Sequence, residues 1–322
     1  MTRILSYNIL VGATHRVNQV EHMIRSVDPD IVGLVEATDP RVVEELARRL
    51  EMQFVMSGNA AHERDWQLAL LSRLPIVDWQ LHRGADVLSR AVLEATVQEP
   101  DGRRITVFVT HHAAAFSEQR AGDHIRRREA RELLRLMASK QGEAHLAMGD
   151  FNNIAPGDAF QASALLGYLV RMEQLHQREP GAAVGHPYLD FVVPASLRFF
   201  DPLLRAIPRS RLLRFLFDRA ASLYAPRGSI ALLRGAGYVD CFRAQNPGAK
   251  GFTCPAEVPA GRIDYIFASP ELAATLSACS VVTGGDGING ADASDHLPVV
   301  ADFGLPVERA PLIEHTAEFA SL

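Results

Sequence analysis

The fold of this 322-residue chain is decided by the stretch AHLAMGDFN at residues 144–152. Its first part, residues 144–148, is apolar and typical of a short buried β-strand. Gly149 ends this strand, and Asp150 and Asn152 follow two positions apart, so both lie on one side of an extended exit. Two polar side chains at a strand end predict a chemical site, although a simple Gly-Asp-Asn loop is the alternative interpretation.

Apolar patterns on both sides of this stretch predict alternating strands and helices. Residues 4–11 predict a strand, residues 17–27 a helix and residues 31–35 a buried strand. The same reasoning predicts helices at 42–50, 122–140 and 160–175, and strands at 68–71, 91–97, 104–110, 262–268, 280–283 and 297–303. Strands that alternate with helices in this way predict an α/β fold.

Composition indicates a folded protein without a general basic surface. Hydrophobic residues make up 48% of the chain and charged residues 22%, which excludes extensive disorder. The formal charge is −5, so bulk charge does not predict tight, salt-driven duplex binding. The window 188–228 is different, because it holds seven arginines against three aspartates.

Three cysteines, Cys241, Cys254 and Cys279, form no CxxC pair. Their odd number argues against a disulfide framework or a structural zinc site and favours a reduced compartment. Residues 1–10 are too polar for a signal peptide, and no apolar run reaches the roughly 18 residues of a membrane span. We therefore expect a cytoplasmic protein.

Further polar residues stand at the predicted strand ends, each with a structural alternative such as a turn or a surface exit. They are Asn8, Glu36, His111, Asp264, and the trio Ser294, Asp295 and His296. Consecutive residues do not converge on one point, so the trio is not a serine triad. A GxGxxG match at 285–290 precedes a strand rather than a helix, which argues against a dinucleotide site. Carboxylates, amides and histidines without a nucleophile suit a hard divalent cation and a substrate phosphate.

Taken in order along the chain, these motifs resemble the endonuclease/exonuclease/phosphatase superfamily, which has the deoxyribonuclease I-like fold. The motifs are LSYNI at 5–9, Glu36 after a strand, LSRLPI at 71–76, Thr110-His111, GDFN at 149–152, RIDYI at 262–266 and SDHLPV at 294–299. The resemblance implies a four-layered αββα sandwich with two central mixed β-sheets. It also implies one domain over 1–304, with a basic and apolar segment inserted at about 157–230 and a C-terminal tail at 305–322.

The resemblance further implies a Mg²⁺ or Mn²⁺ site. Glu36 would be the main metal ligand, with Asn8 beside it and Asp295 completing the shell. Asp150 would orient or deprotonate the attacking water, and Asn152 would hold a phosphate oxygen.

Two histidines would flank the scissile phosphate in the same scheme. These are His111 and His296, and Asp264 would fix the orientation of His296. Substrate phosphate contacts are expected from Asn8, His111, Arg126 and Asn152. For Arg126, a solvated helix face is the alternative interpretation.

The implied activity is metal-dependent hydrolysis of phosphodiester bonds, and we expect DNA or RNA as the substrate. Thr110-His111 resembles the deoxyribonuclease I, sphingomyelinase and tyrosyl-DNA phosphodiesterase branch, which makes an abasic-site enzyme less expected. A phospholipid or small phosphoester is the enzymatic alternative, and a non-catalytic scaffold is disfavoured because no expected site residue is missing. The segment at 157–230 could grip nucleic acid, form a lid, touch a membrane or simply pack on the core. No stable protein partner is implied.

Overall fold

The computed structural model describes residues 1–57, 67–84, 87–114, 120–179, 181, 185–189, 200–285 and 287–304. The predicted tail at 305–322, and residues 190–199 of the predicted insertion, lie outside the described residues. Within the described part, no helix is both long and apolar enough to cross a bilayer.

Two six-stranded mixed sheets form the centre of the molecule, which confirms the expected architecture. The first sheet has the order β11-β14-β1-β2-β4-β3 and the second the order β5-β6-β7-β8-β10-β9. Their strands are β1 (Thr2–Asn8), β2 (Ile31–Val35), β3 (Gln53–Met56), β4 (Leu68–Ser72), β5 (Ile76–His82), β6 (Val92–Gln98), β7 (Arg104–His111), β8 (His145–Asp150), β9 (Val239–Asp240), β10 (Asp264–Ala268), β11 (Leu276–Val281) and β14 (Val299–Phe303). A small hairpin adds β12 (Gly284–Gly285) and β13 (Ile288–Asn289).

Helices cover the outer faces of both sheets and complete the four layers. They are α1 (Val17–Val27), α2 (Pro40–Leu50), α3 (Arg120–Ala138), α4 (Ala162–Arg178), α5 (Asp201–Ala206), α6 (Arg211–Tyr224), α7 (Gly228–Gly235), α8 (Cys241–Gln245), α9 (Pro270–Ala273) and α10 (Gly290–Ala293). The main core lies between the sheets, where Val35 and Leu70 of the first sheet share one cluster with Val107 and Met148 of the second. Apolar side chains of α1 and α2 cover the first sheet, and those of α3 and α7 cover the second.

One parallel strand pair stands at the centre of each sheet. β1 runs parallel to β2, and β7 runs parallel to β8, whereas the other paired strands are antiparallel. The carboxyl ends of a parallel pair meet at one edge of the sheet. Asn8 and Glu36 follow from the first pair, and His111 and Asp150 from the second.

The predicted elements are confirmed except at particular boundaries. The first strand was expected to reach Val11, but it ends at Asn8. Beyond it the backbone turns, with positive φ at Leu10 and Val11, and the Val11 N–H donates to Glu36 Oε2 at 2.9 Å. The Leu10 N–H donates to Asn8 Oδ1 at 3.1 Å. The side chains of Asn8 and Glu36 therefore accept two backbone N–H groups that a longer strand would have used.

A buried arginine fixes both ends of the segment that lies between β8 and β9. The Arg262 guanidinium, 1% exposed, donates to both carboxylate oxygens of Asp240 at 2.7 and 2.6 Å and to Asp158 Oδ2 at 2.8 Å. Between these anchors, α4, α5, α6 and α7 account for most of the described residues. The segment is therefore largely helical, and its first helices pack together in a separate apolar cluster with Leu166 and Leu169 of α4.

Gly149 allows β8 to approach β7 closely before the polar exit begins. Its φ is +140°, and a Cβ at this position would lie 1.9 Å from the Thr110 carbonyl oxygen. A side chain there would push apart the two strands that bring His111 beside Asp150.

We expect Gly149→Ala to lower the free energy of unfolding by about 3 kcal/mol or more, because a backbone atom has no room to move aside. Gly102→Ala is the matched control, since Gly102 also has positive φ but would place its Cβ in open space. That control should cost only about 1 kcal/mol. Chemical denaturation measures both values, and equal losses would contradict the close approach.

Candidate active site

Three strand ends bring a histidine and two aspartates side by side. In the register of the second sheet, Asp150 is paired with His111 on one side and with Asp264 on the other. All three side chains are buried, with at most 3% exposure. The order of strands alone therefore concentrates two carboxylates and an imidazole at one edge.

The Asp150 carboxylate is the centre of this polar group. Its Oδ2 lies 3.5 Å from His111 Nε2, 3.9 Å from His296 Nε2 and 3.4 Å from Asn8 Nδ2. Its Oδ1 accepts the Asn152 N–H at 2.8 Å. One oxygen of Asp150 therefore faces three donor-bearing side chains, while the other is held by the backbone.

The first sheet contributes Asn8 and Glu36. Asn8 Nδ2 donates to Glu36 Oε1 at 3.2 Å and also faces Asp150, so it connects the polar ends of the two sheets. Glu36 has a positive φ of 60° and accepts the Val11 N–H. It is only partly buried and lines the open cavity described below.

The turn before β14 supplies two more polar residues. His296 Nδ1 lies 2.9 Å from Asp264 Oδ2, which fixes the plane of the ring and leaves Nε2 directed at Asp150. Ser294 Oγ donates to the Asn8 carbonyl at 2.7 Å and accepts the His296 N–H at 3.2 Å. Ser294 therefore ties this turn to β1 and has no nucleophilic geometry.

Crowded carboxylates control the protonation of the site. Burial, reinforced by the neighbouring Asp264 carboxylate, raises the pKa of Asp150. Burial likewise raises the pKa of Asp295 to about 6. For His296, burial opposes the charged ring, but Asp264 and Asp295 outweigh it and raise the pKa of His296 well above its usual value. Burial lowers the pKa of His111, so the pKa values of the two histidines are shifted in opposite directions.

Arg126 lies behind the site rather than on its open wall. Its side chain is 1% exposed, and Nη1 donates to the Ala113 carbonyl at 3.1 Å. On the same face of α3, Glu129 Oε2 accepts the Ala113 N–H at 2.9 Å. Together they clamp the loop that follows His111. The phosphate contact expected of Arg126 stays a prediction.

Asn152 also makes a backbone contact. Its Nδ2 donates to the His112 carbonyl at 2.9 Å, and its φ is 48°. The side chain lines the cavity with its amide already oriented. The amide thus has a fixed position beside the place expected for a phosphate oxygen.

Four residues that sequence reasoning did not single out also line the site. Arg90, from the turn before β6, donates to the His112 carbonyl at 3.2 Å and faces Glu36 and Asp150. His186 Nδ1 lies 2.7 Å from the Tyr168 hydroxyl and 3.9 Å from Asp295 Oδ2. The cavity also includes Asn153 and Cys254. Only Arg90 had a possible signal in the sequence, because it directly precedes a predicted strand. His186, Asn153 and Cys254 lie in loops outside the motifs quoted above.

These residues open into a cavity of about 500 Å³. One wall is polar and contains Glu36, Asp150 and His296. Most of the remaining lining is apolar and comes from α4, its neighbouring loops, the turn after α6 and the residue before β10; it includes Ile154, Phe160, Leu165, Leu169, Tyr188, Pro226 and Ile263. The same cavity is therefore lined by a polar group of side chains at the sheet ends and by an apolar wall.

The donor set fits a hard divalent cation. Asp295 Oδ1 is buried and has no hydrogen-bond donor among the described residues. Glu36, Asn8 and Asp295 offer oxygen ligands, which Mg²⁺ and Mn²⁺ prefer. A second buried group, Asp150, Asp264 and His296, has ligand atoms within 4.8 Å of one another, but His296 Nδ1 and Asp264 already bond each other.

Comparison with known proteins agrees with this fold. The chain matches the model of the Endonuclease/Exonuclease/phosphatase family over residues 5–296, and it belongs to that family. Members of this family are hydrolases of phosphoester bonds that depend on divalent metals. No curated protein sequence matches the chain.

Three solved structures illustrate the similarity of fold. An AP endonuclease from Archaeoglobus fulgidus superposes with a TM-score of 0.60 and 17% identity, covering 95% of this chain and 100% of its own. A 3′ phosphatase from Neisseria bound to a product DNA hairpin gives 0.57 and 19%, covering 95% and 100%. Truncated TDP2 from Caenorhabditis elegans gives 0.56 and 15%, covering 94% and 97%. At these identities the likeness shows the fold alone, and the expectation against an abasic-site enzyme stays a prediction.

A buried histidine beside the site makes the fold sensitive to acid. Burial lowers the pKa of His112 to about 4, and its ring packs edge-on against Phe151. The unfolded chain, with a histidine pKa near 6.5, binds a proton at a higher pH than the folded chain does. Stability from this residue is therefore complete above about pH 7 and declines as the pH falls towards 4.

Between pH 7 and pH 4, we expect the free energy of unfolding to fall by about 3 kcal/mol less in His112→Phe than in the wild-type protein. Denaturation curves of both proteins over this range measure the effect. Exposed His22→Phe is the control and should leave the slope unchanged. An unaltered slope in His112→Phe would show that the ring is protonated equally in the folded and unfolded states.

Proposed function

We propose that this chain is a divalent-metal-dependent phosphodiesterase in which water attacks phosphorus directly. The observation that carries the proposal is the single oxygen, Asp150 Oδ2, surrounded by His111, His296 and Asn8 at 3.4 to 3.9 Å. The arrangement offers a base and several donors for phosphoryl oxygens without an activated nucleophile. Membership of a family of phosphoester hydrolases supports the same chemistry.

In this proposal Glu36 is the main metal ligand, Asn8 lies beside it and Asp295 completes the oxygen shell. A bound Mg²⁺ or Mn²⁺ would offset negative charge on the phosphate and favour ionisation of water. The Val11 N–H and Asn8 amide hold the Glu36 carboxylate in place through both of its oxygens. The side chain is therefore oriented before any ligand arrives.

Asp150 accepts the proton of the attacking water or orients that water. His296, held by Asp264, donates from Nε2 to a phosphoryl or leaving oxygen. His111 lines the other side of Asp150, and Asn152 offers its amide to the substrate phosphate. Asp150, His296 and Asn152 are each positioned by a second contact, which reduces the reorganisation needed during reaction.

The first candidate substrate is nucleic acid. Structures described as an AP endonuclease and as a 3′ phosphatase bound to a DNA hairpin share the fold, which supports this choice. Arg90 supplies a cation on the cavity wall, where it could meet a backbone phosphate.

A second candidate is a phosphodiester that carries a large apolar group. The apolar lining of the cavity supports it, because Phe160, Leu169 and Ile263 would contact the group attached to the phosphate. Burying apolar surface there stabilises binding by roughly 25 cal/mol per Å². A phospholipid fits this description better than the sugar-phosphate backbone does.

Replacing the central residues should remove hydrolysis without unfolding the protein. We expect Glu36→Gln, Asp150→Asn and His296→Ala each to lower kcat at least about 100-fold. Glu51→Gln, Asp78→Asn and His22→Ala change the same residue types on the exposed surface and should retain activity. The assay compares plasmid, single-stranded DNA, RNA, phospholipid and small phosphodiesters in Mg²⁺ and Mn²⁺.

Metal binding has its own readout in the same variants. Mg²⁺ should raise the melting temperature of the wild-type protein, and this rise should be absent in Glu36→Gln because a ligand is lost. Retained turnover in all three site variants, or no activity of the wild type on any phosphodiester, would refute the proposal.

The apolar wall gives a separate test of substrate class. We expect Phe160→Ser to lower kcat/KM for phosphatidylcholine about tenfold, while hydrolysis of glycerophosphocholine, which lacks the acyl chains, changes less than about twofold. Phe54→Ser, on the edge strand β3, is the control. Equal losses on both substrates would exclude an apolar subsite at Phe160.

A further inference from the structure

An apolar stripe runs along the outer face of α6. Leu212, Phe215, Leu216 and Leu223 are 67%, 62%, 53% and 85% exposed, although each is a residue type that is normally buried. Their spacing of three, four and eleven positions from Leu212 places them on one side of the helix. The next residue, Tyr224, is 86% exposed. Such a continuous exposed stripe marks a binding surface rather than scattered surface leucines.

The opposite face of α6 is fixed to the protein. Leu213 and Phe217 pack into the cluster formed with α4. Asp218 accepts hydrogen bonds from the Ser163 N–H at 2.7 Å and from its hydroxyl at 2.9 Å. Because this side of the helix is anchored by packing and by polar contacts, the exposed stripe is the side left for a partner.

Arginines surround the stripe. Residues 200–228 contain six arginines and two aspartates. The aspartates are already engaged, Asp201 with Arg205 and Asp218 with Ser163. Three exposed arginines on or near the stripe, with no ion pair to another residue in the described part of the chain, are Arg209, Arg211 and Arg219. Arg214 lies on the other side of α6, in a cleft with Asp218 and α4. The surface therefore combines apolar contact area with positive charge.

We propose that α6 binds an anionic lipid surface, with Leu212, Phe215, Leu216 and Leu223 among the acyl chains and the arginines at the headgroup phosphates. An amphipathic helix with large apolar residues on one face and arginines around it has the chemistry of an interfacial helix. Each arginine near such a surface adds electrostatic attraction. The inference concerns where the protein binds and does not depend on the proposed reaction.

Lipid fits this surface better than two other partners. Nucleic acid would use the arginines and could stack a base on Phe215, but it would leave Leu212, Leu216 and Leu223 in water, since bases stack on aromatic rings and not on leucines. A second copy joined through α6 by a two-fold axis would cover the stripe but would bring the arginines of both copies together. A layer of anionic lipid satisfies the apolar and the cationic groups at once.

The position of α6 connects this surface with the site. Tyr224, at the end of the helix, is followed by Ala225 and Pro226, and both line the active-site cavity. Helix α4, which packs against α6, also supplies residues that line this cavity. A lipid-bound α6 would therefore hold the apolar wall of the cavity close to the membrane surface.

The test is cosedimentation of the full chain with vesicles of phosphatidylcholine alone or mixed with phosphatidylglycerol. We expect preferential binding to the phosphatidylglycerol vesicles. Phe215→Ser combined with Leu216→Ser should reduce the partition coefficient about tenfold or more, because two large side chains no longer insert. Arg211→Gln combined with Arg219→Gln should reduce it on anionic vesicles and weaken its dependence on salt.

Matched controls change the same residue types elsewhere. Val77→Ser with Trp79→Ser removes exposed apolar residues from the edge strand β5, and Arg41→Gln with Arg104→Gln removes exposed arginines far from α6 in the chain. Both should bind like the wild type. As a direct measure of insertion, the Phe215→Trp variant should show fluorescence that brominated lipid quenches.

Particular results would overturn the inference. One is that the wild type binds neither kind of vesicle, and another is that the Phe215→Ser, Leu216→Ser variant binds as well as the wild type does. The third such result is that brominated lipid does not quench the fluorescence of Phe215→Trp. A dimer that dissociates in the stripe variant would assign the surface to a second copy. Loss of DNA binding in the arginine variant, without vesicle binding by the wild type, would assign it to nucleic acid. Because no turnover is measured, inactivity towards every substrate would leave vesicle binding unaffected.

Discussion

The structure depends on the accumulation of buried negative charge where two packed sheets end. Asp150 sits in register between His111 and Asp264, and Asn8 bridges from the other sheet. Isolated buried carboxylates are costly, so the site persists only because donors from both sheets surround them. The sandwich brings those donors together, and the same crowding of carboxylates underlies the proposed cation site.

Much of this arrangement could be predicted from the chain alone, because most site residues follow directly from apolar runs. Glu36 and Asp150 stand at the ends of central strands, where position in the sequence determines position in the sheet. The first strand was predicted three residues too long, since strand propensity does not register that Glu36 captures the Val11 N–H. His186 and Tyr168 were missed because their meeting with Asp295 depends on packing of the inserted helices, which leaves no local pattern.

The polar and the apolar lining of the cavity come from different parts of the fold. The two sheets hold the polar reaction edge, whereas α4, the loop at 185–189 and the turn after α6 form the apolar wall. Hydrogen bonding between strands fixes the polar residues, whereas a smaller apolar cluster holds the helices of the apolar wall. Under the proposed function, catalysis and substrate choice would depend on different parts of the fold. Loops around a rigid scaffold commonly serve the second task.

The ion pairs of Arg262 connect these two parts of the fold. Asp158 and Asp240, one near each end of the helical segment, are both tied to the guanidinium that directly precedes β10. Because one side chain holds both aspartates, the start and the end of the helical segment lie together beside β10. The segment is thus a loop closed at its base by electrostatics, and the apolar lining that it gives to the cavity is tied mechanically to the strand that carries Asp264.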